Sequence, residues 1–292
     1  MKNIPKICHF VWTTGASLSL LQAMSVISFH NQNPDWDIIL HLIKQTPEEL
    51  GKNIYVLEYT GPDYLSKLVK LDYVKVHGVD LKKEGIGCDK HSILVSDILR
   101  VKYLYEMGGV YSDIDMLWLR PMDQFHNIQC NGNPKDFETT ICEYKGGKYL
   151  KKHFKEGKYS RRHFNASNIV SEPGGQYLKK LLDYQKIIKP PYTYQAFNTD
   201  MLNSLFENDL VVLNDYPRML SIDYSVFCPY SIFDLELLYN RTDLSVLHSG
   251  IMGVHWFNGH ELSREYVDEN IKGFKRPCSM TEIILTLITG KL

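Results

Sequence analysis

Apolar and polar positions alternate along the chain between strand-like and helix-like spacing. Ile4 to Trp12 reads as a buried first strand. From Ser17 to Gln32 the apolar residues Leu20, Leu21, Met24, Ile27 and Phe29 recur near helical spacing, and Asn33-Pro34 stops the segment. Trp36 to Ile43 alternates in part and predicts a second strand. Shorter strands are predicted around Tyr55–Tyr59 and Tyr73–His77. The clearest element is a helix from His91 to Met107, where Leu94, Ile98, Val101 and Tyr105 mark one face. Gly108-Gly109 supplies its stop. Val110-Tyr111-Ser112 then reads as a buried strand, with Asp113-Ile114-Asp115 at its end. Further on, helices are predicted over Gly174–Ile188 and Phe197–Asn208, and short strands at Leu210–Leu213 and Val226–Phe227. The apolar stretch from Thr281 to Thr289 reads as a final packed helix. Strands alternating with helices predict an α/β fold with a mostly parallel sheet. With no repeat and no linker, residues 1–292 read as one domain.

Composition narrows the class. Of the 292 residues, 44% are hydrophobic and 23% charged, with a net charge of −1. Such a chain buries a core without staples and is not disordered. It lacks the basic excess of a generic nucleic-acid binder. Cys8, Cys88, Cys130, Cys142, Cys228 and Cys278 include no C-x-x-C pair, which argues for reduced thiols rather than a zinc site or a disulfide scaffold. The N-terminus has no secretory h-region, and no apolar run reaches the length of a membrane span. A cytoplasmic protein is the expectation, with peripheral membrane contact left open by the basic, aromatic stretch Lys148–Phe164.

The candidate chemistry starts at Asp113-x-Asp115. Residues i and i+2 of an extended segment point to one side. Two carboxylates there repel unless a positive charge lies between them, and a hard divalent cation is the usual remedy. The end of a strand is also where α/β sheets place ligands. Upstream, Asp97 and Arg100 share a helix face near its buried side, either as a local ion pair or as a grip on a ligand.

The run S-D-x-x-R-x-x-x-L-Y-x-x-G-G-V-Y-x-D-x-D over Ser96–Asp115 resembles the sugar-binding D-x-D region of glycosyltransferase family 32. Ile4-Pro5-Lys6-Ile7-Cys8-His9-Phe10-Val11-Trp12 is similar to that family's opening I-P-K-x-I-H-x-x-W, and Asn33-Pro34-Asp35-Trp36 to its N-P-x-W stretch. The likeness covers roughly the first 125 residues and extends more distantly to the clostridial glucosylating toxins. It implies a GT-A fold, with residues 1–125 a Rossmann-like nucleotide-sugar half carrying a mixed sheet and 126–292 a less regular acceptor half. It implies transfer of a hexose from a UDP- or GDP-sugar to a glycan, a lipid-linked saccharide or another hydroxyl acceptor, with retention of configuration and with Mn²⁺ or Mg²⁺ as cofactor.

By position, the resemblance puts Phe10, Val11 and Trp12 at the base pocket, where core packing accounts equally well for Phe10 and Trp12. Asp97 and Arg100 hold donor sugar and diphosphate, Gly109 and Tyr111 shape the pocket wall, Asp113 meets ribose or metal, and Asp115 ligates the metal. The late Gly253–His260 stretch is similar to the H-x-x-x-S-W element of related transferases. It offers His255 as third ligand, ahead of His248 and His260, and Trp256 as a catalytic contact to the diphosphate or glycosidic oxygen. Asn165 and Asn168 are acceptor-side candidates, with turn formation as the competing account. Asn198 or Thr199 reads as a helix N-cap. Two rivals stand beside this reading: an Asp113-nucleophile phosphotransferase and a non-catalytic nucleotide-sugar-binding module.

Overall fold

A computed structural model describes residues 3–50, 59–127, 130–131, 136–143, 164–208, 215–270, 273–274 and 276–289. The expected strand at Leu210–Leu213, most of that at Tyr55–Tyr59 and nearly all of the basic stretch Lys148–Phe164 lie outside these residues.

The strands are β1 (Ile7–Thr13), β2 (Asp37–Ile43), β3 (Val74–Val79), β4 (Gly109–Ser112), β5 (Met116–Trp118), β6 (Cys130–Asn131), β7 (Thr139–Glu143), β8 (Phe164–Asn165), β9 (Asn168–Ser171), β10 (Met219–Asp223) and β11 (Gly253–His255). The helices are α1 (Leu20–Gln32), α2 (Leu65–Leu68), α3 (Ser92–Met107), α4 (Gln176–Gln185), α5 (Thr199–Glu207), α6 (Leu235–Tyr239), α7 (Glu261–Glu269) and α8 (Ser279–Thr289). The main sheet runs β3-β2-β1-β4-β9-β7-β10-β6, with β8 paired to β7. β3, β2, β1 and β4 are parallel, whereas β9 runs antiparallel to β4 and makes the sheet mixed. β5 and β11 pair separately and antiparallel, which brings a segment near the C-terminus beside the end of β4.

Alternation along β1 splits the core. Cys8 and Phe10 join a cluster with Phe29, Trp36, Ile38 and Trp118, and Val11 joins another with Val95, Leu99 and Leu104 of α3. A third cluster, with Trp256, Tyr239, Tyr266 and Ile284, holds α6–α8 against β5 and β11. α1 starts at a capping box: Ser19 Oγ accepts from Gln22 N–H at 3.2 Å, and Ser19 N–H donates to Gln22 Oε1 at 2.8 Å.

Two local expectations change. Val226–Phe227 is no strand; a 3₁₀ turn spans Tyr224–Val226, capped by Asp223 through the Ser225 amide, and the strand lies earlier, at Met219–Asp223. Gly108-Gly109 does more than stop α3. Gly108 has φ 68° and Gly109 φ 98°, and a Cβ on Gly109 would fall inside the van der Waals envelope of the Ile7 carbonyl oxygen. Left-handed backbone and close strand approach both require glycine there.

Candidate active site

The parallel strands β1 and β4 deliver their C-terminal ends to one place. Asp113 follows β4 directly, and Asp115 precedes β5 in a turn rather than an extended segment. The two carboxylates converge because the chain folds back there, not because of strand alternation. β11 supplies the third side chain: His255 pairs with Met116 in register, next to Asp115. His255 Nε2 lies 2.8 Å from Asp115 Oδ1 and 4.0 Å from Asp113 Oδ2. Ligand atoms of Asp113, Asp115 and His255 all fall within 4.8 Å of one another. Two carboxylates and an imidazole suit a Mn²⁺- or Mg²⁺-type cation in number and hardness, so the donor set fits the group.

Asp115 is held from several sides. Its Oδ2 accepts the Asn258 amide at 2.8 Å, and its backbone carbonyl accepts the Trp256 amide at 2.9 Å. Burial alone would raise its pKa, but the His255 charge, the His255 hydrogen bond and the Asn258 amide hold it below the usual carboxylate value. For His255, burial opposes the charge and Asp115 outweighs it, so its pKa lies well above the ordinary value. Asp113 goes the other way. Burial raises it, with the Asp115 charge adding to the rise and Arg100 and His255 offsetting part of it. Environment thus separates two adjacent carboxylates electrostatically.

Behind them sits a buried polar group. Arg100 Nη2 lies 2.7 Å from Asp97 Oδ1 and 3.0 Å from Asp113 Oδ1, and Nη1 donates to the Ala166 carbonyl at 2.5 Å. The guanidinium also lies over the Tyr111 ring, 4.4 Å from its centroid. The Tyr111 hydroxyl sits 2.9 Å from Ser96 Oγ and donates to Asp113 Oδ1 at 3.1 Å. Burial pushes Asp97 up to about 7 against the pull of Arg100.

Several expected site residues occupy other surroundings. Phe10 is fully buried and packs edge-on against Phe29, so its ring belongs to the core and not to a base pocket. Trp256 is fully buried in the third cluster with its indole N–H toward Ser25 Oγ, which removes it from contact with a diphosphate. Gly109 is explained by backbone approach rather than by a pocket wall. Asp97 and Arg100 are almost wholly buried and bonded to protein groups, so they hold Asp113 in place. Val11 is buried, whereas Trp12 is half-buried at the end of β1 and donates its indole N–H to the Ala16 carbonyl. Asn165 Oδ1 accepts from the Ser167 amide at 2.7 Å, which is turn work. Asn168 is buried, with its Nδ2 toward Ser167 Oγ at 3.4 Å and Met116 Sδ at 3.8 Å.

Four contributors escaped the sequence reading. Asn198 does not cap α5 with its side chain; its Oδ1 accepts the Ala166 amide at 3.1 Å and its Nδ2 donates to Asp97 Oδ1 at 3.2 Å. Tyr194 is half-buried near all three acids, and burial first and their charges next raise its pKa. The Asn258 amide is a backbone group, and no residue type announces it. Phe257 has φ 53°, alone among the described non-glycine residues in being left-handed, a conformation that costs roughly 1–3 kcal/mol.

Residues 1–131 match the family model described as the glycosyltransferase sugar-binding region containing DXD motif. The match spans 131 of the 292 residues and includes Asp113 and Asp115. Among solved structures, an active-site mutant of LgtC is 13% identical, covering 97% of this chain and 95% of that one with a TM-score of 0.50. LgtC in complex with donor and acceptor sugar analogs is also 13% identical, covering 98% and 100% with a TM-score of 0.46. GlyE of Streptococcus pneumoniae TIGR4 is 12% identical, covering 99% and 64% with a TM-score of 0.43. No curated protein matches. The chain has the GT-A fold, and no helix among its described residues is long and apolar enough to cross a membrane.

Proposed function

We propose that this glycosyltransferase moves a hexose from a nucleotide diphosphate sugar to a hydroxyl of a glycan or lipid-linked saccharide, with a divalent cation and with retention of configuration. The convergence of Asp113, Asp115 and His255 at the C-terminal ends of the central strands carries the reading. These three residues would hold Mn²⁺ or Mg²⁺. When bound, the cation supplies Lewis-acid neutralisation of the charge that grows on the departing diphosphate.

The chain's own groups prepare that site. Arg100 fixes the Asp113 carboxylate from behind, Asp97 fixes Arg100, and Asn198 fixes Asp97 in turn. His255 and the Asn258 amide fix Asp115. Acids whose rotamers are already set need little rearrangement as the ligand binds, which is how preorganised electrostatics lower a barrier. Trp12, half-buried at the end of β1, is the base-pocket aromatic in this reading. Retention is proposed from the family resemblance, and a same-face attack assisted by the leaving phosphate needs no covalent nucleophile from the protein.

A panel of UDP- and GDP-hexoses with Mn²⁺, Mg²⁺ or chelator, read as released nucleoside diphosphate, tests the proposal and picks the donor. We expect release with one donor, loss of it with chelator, and loss of it in Asp115→Ala with far-UV circular dichroism unchanged. Normal turnover by Asp115→Ala would refute the assigned metal site. The anomeric configuration of the product, read by NMR, tests retention.

A further inference from the structure

The backbone at Phe257 is an outlier that packing alone does not call for. Phe257 is left-handed at φ 53° in a chain whose other described positive-φ residues are all glycine. A bulky residue there indicates local strain, and strain of this kind persists where the surroundings over-determine it. The surroundings are specific. On one side, the Trp256 carbonyl accepts from the Tyr239 hydroxyl at 2.9 Å and from Ser263 Oγ at 2.6 Å. On the other, the Phe257 carbonyl accepts the His260 amide at 2.8 Å. The Phe257 ring lies 4.3 Å from the His255 ring, centroid to centroid, and packs against two core clusters.

The consequence of the left-handed turn is directional. Trp256 N–H points at the Asp115 carbonyl and Asn258 N–H at Asp115 Oδ2. Two amides so close in sequence reach two atoms of one aspartate only because the chain reverses at Phe257. We propose that the strained turn at Phe257 is a positioning device for the cation site: it aims the Asn258 amide at Asp115 Oδ2 and so sets the orientation in which Asp115 and His255 meet a divalent cation. This inference rests on the metal-dependent reading above and assigns Phe257 and Asn258 a part in it that no sequence motif marks. The device acts through backbone geometry, so the residue at 257 matters by whether it tolerates the left-handed region.

Three substitutions separate backbone from ring. Phe257→Gly removes the ring and relieves the strain. Phe257→Ala removes the same ring but keeps a Cβ, and Phe257→Val adds a β-branch that the left-handed region excludes. Mn²⁺ affinity of each full-length protein, from electron paramagnetic resonance of the free ion, and hydrogen exchange of the Asn258 amide in metal-free protein are the readouts. Phe257→Val is expected to weaken Mn²⁺ binding within the roughly 10–100-fold range usual when an outer-shell support is lost, with faster Asn258 exchange. Phe257→Gly should stay close to wild type in both, and Phe257→Ala should fall between. If Phe257→Val fails to fold, Phe257→Ala against Phe257→Gly decides. Equal weakening in Phe257→Gly and Phe257→Ala assigns the effect to the ring and overturns the proposal, as does wild-type affinity in Phe257→Val. Absence of Mn²⁺ binding in the wild-type protein overturns the metal reading itself and the inference with it.

Discussion

The Arg100 guanidinium is almost wholly buried and places two carboxylates, Asp97 and Asp113, on one nitrogen. The arrangement is stable only while all members are present, because a buried charge without its partner costs far more than the intact pair returns. Arg100→Ala is therefore expected to destabilise the fold by about 3–5 kcal/mol. Asn198→Ala removes one amide and leaves Arg100 on Asp97, so its expected cost is about 1–3 kcal/mol. Urea denaturation of the two variants should return that order; equal costs would show that the Asp97–Arg100 pair carries no special weight. Arg100→Lys is not a conservative change here, because an ammonium lacks the planar fork that reaches Asp97, Asp113 and the Ala166 carbonyl together.

At the level of elements, the Gly108-Gly109 bend and the start of α1 differ in how much they demand. Gly109→Ala meets both a left-handed backbone and the Ile7 carbonyl, and is expected to cost more than roughly 3 kcal/mol. Ser19→Ala loses one capping hydrogen bond and should cost about 1 kcal/mol. Thermal melts of both variants test the ranking. These elements also show what the sequence made legible. α3 and β4 were readable because an apolar face of regular spacing ends in two glycines, and the D-x-D pair was readable because residue type alone signals its chemistry. His255 was reachable only through resemblance, since β11 meets β5 across well over a hundred residues of sequence. Asn198 was hidden because an asparagine before a helix has an adequate local explanation as a cap, and the contacts that overrule it are tertiary. Phe10 and Trp256 were misread because an aromatic beside a motif looks the same in sequence whether it faces ligand or core. The Asn258 amide left no trace in residue type at all.

Across the whole molecule, the parallel half of the sheet contains a row of histidines that the site does not use. His9 on β1, His41 on β2 and His77 on β3 are linked one to the next by hydrogen bonds of 2.9 Å, and His9 Nε2 is 2.9 Å from the Gly108 carbonyl. The Tyr103 ring stacks on His41 at 3.9 Å. Burial lowers His9 to about 4, and burial with the neighbouring histidines lowers His41 to about 2. Both are neutral in the folded protein at pH values where the unfolded chain, with ordinary histidines near 6.5, already takes up protons. Their contribution to stability is therefore complete above about pH 6.5 and falls as the pH drops toward 4, by up to about 1.4 kcal/mol per pH unit for each group. Melting temperatures between about pH 7.5 and 4.5 should decline over this window, and His41→Gln should decline less steeply; an identical slope would remove the histidines as the cause. The row also has a fixed polarity. A carbonyl can only accept, so His9 must donate to Gly108 and accept from His41, and His41 must in turn accept from His77. Every N–H in the row consequently points inward from the exposed edge strand. Turning any one buried ring to its other tautomer would set lone pair against lone pair or N–H against N–H, so the rings hold their tautomers together as a set.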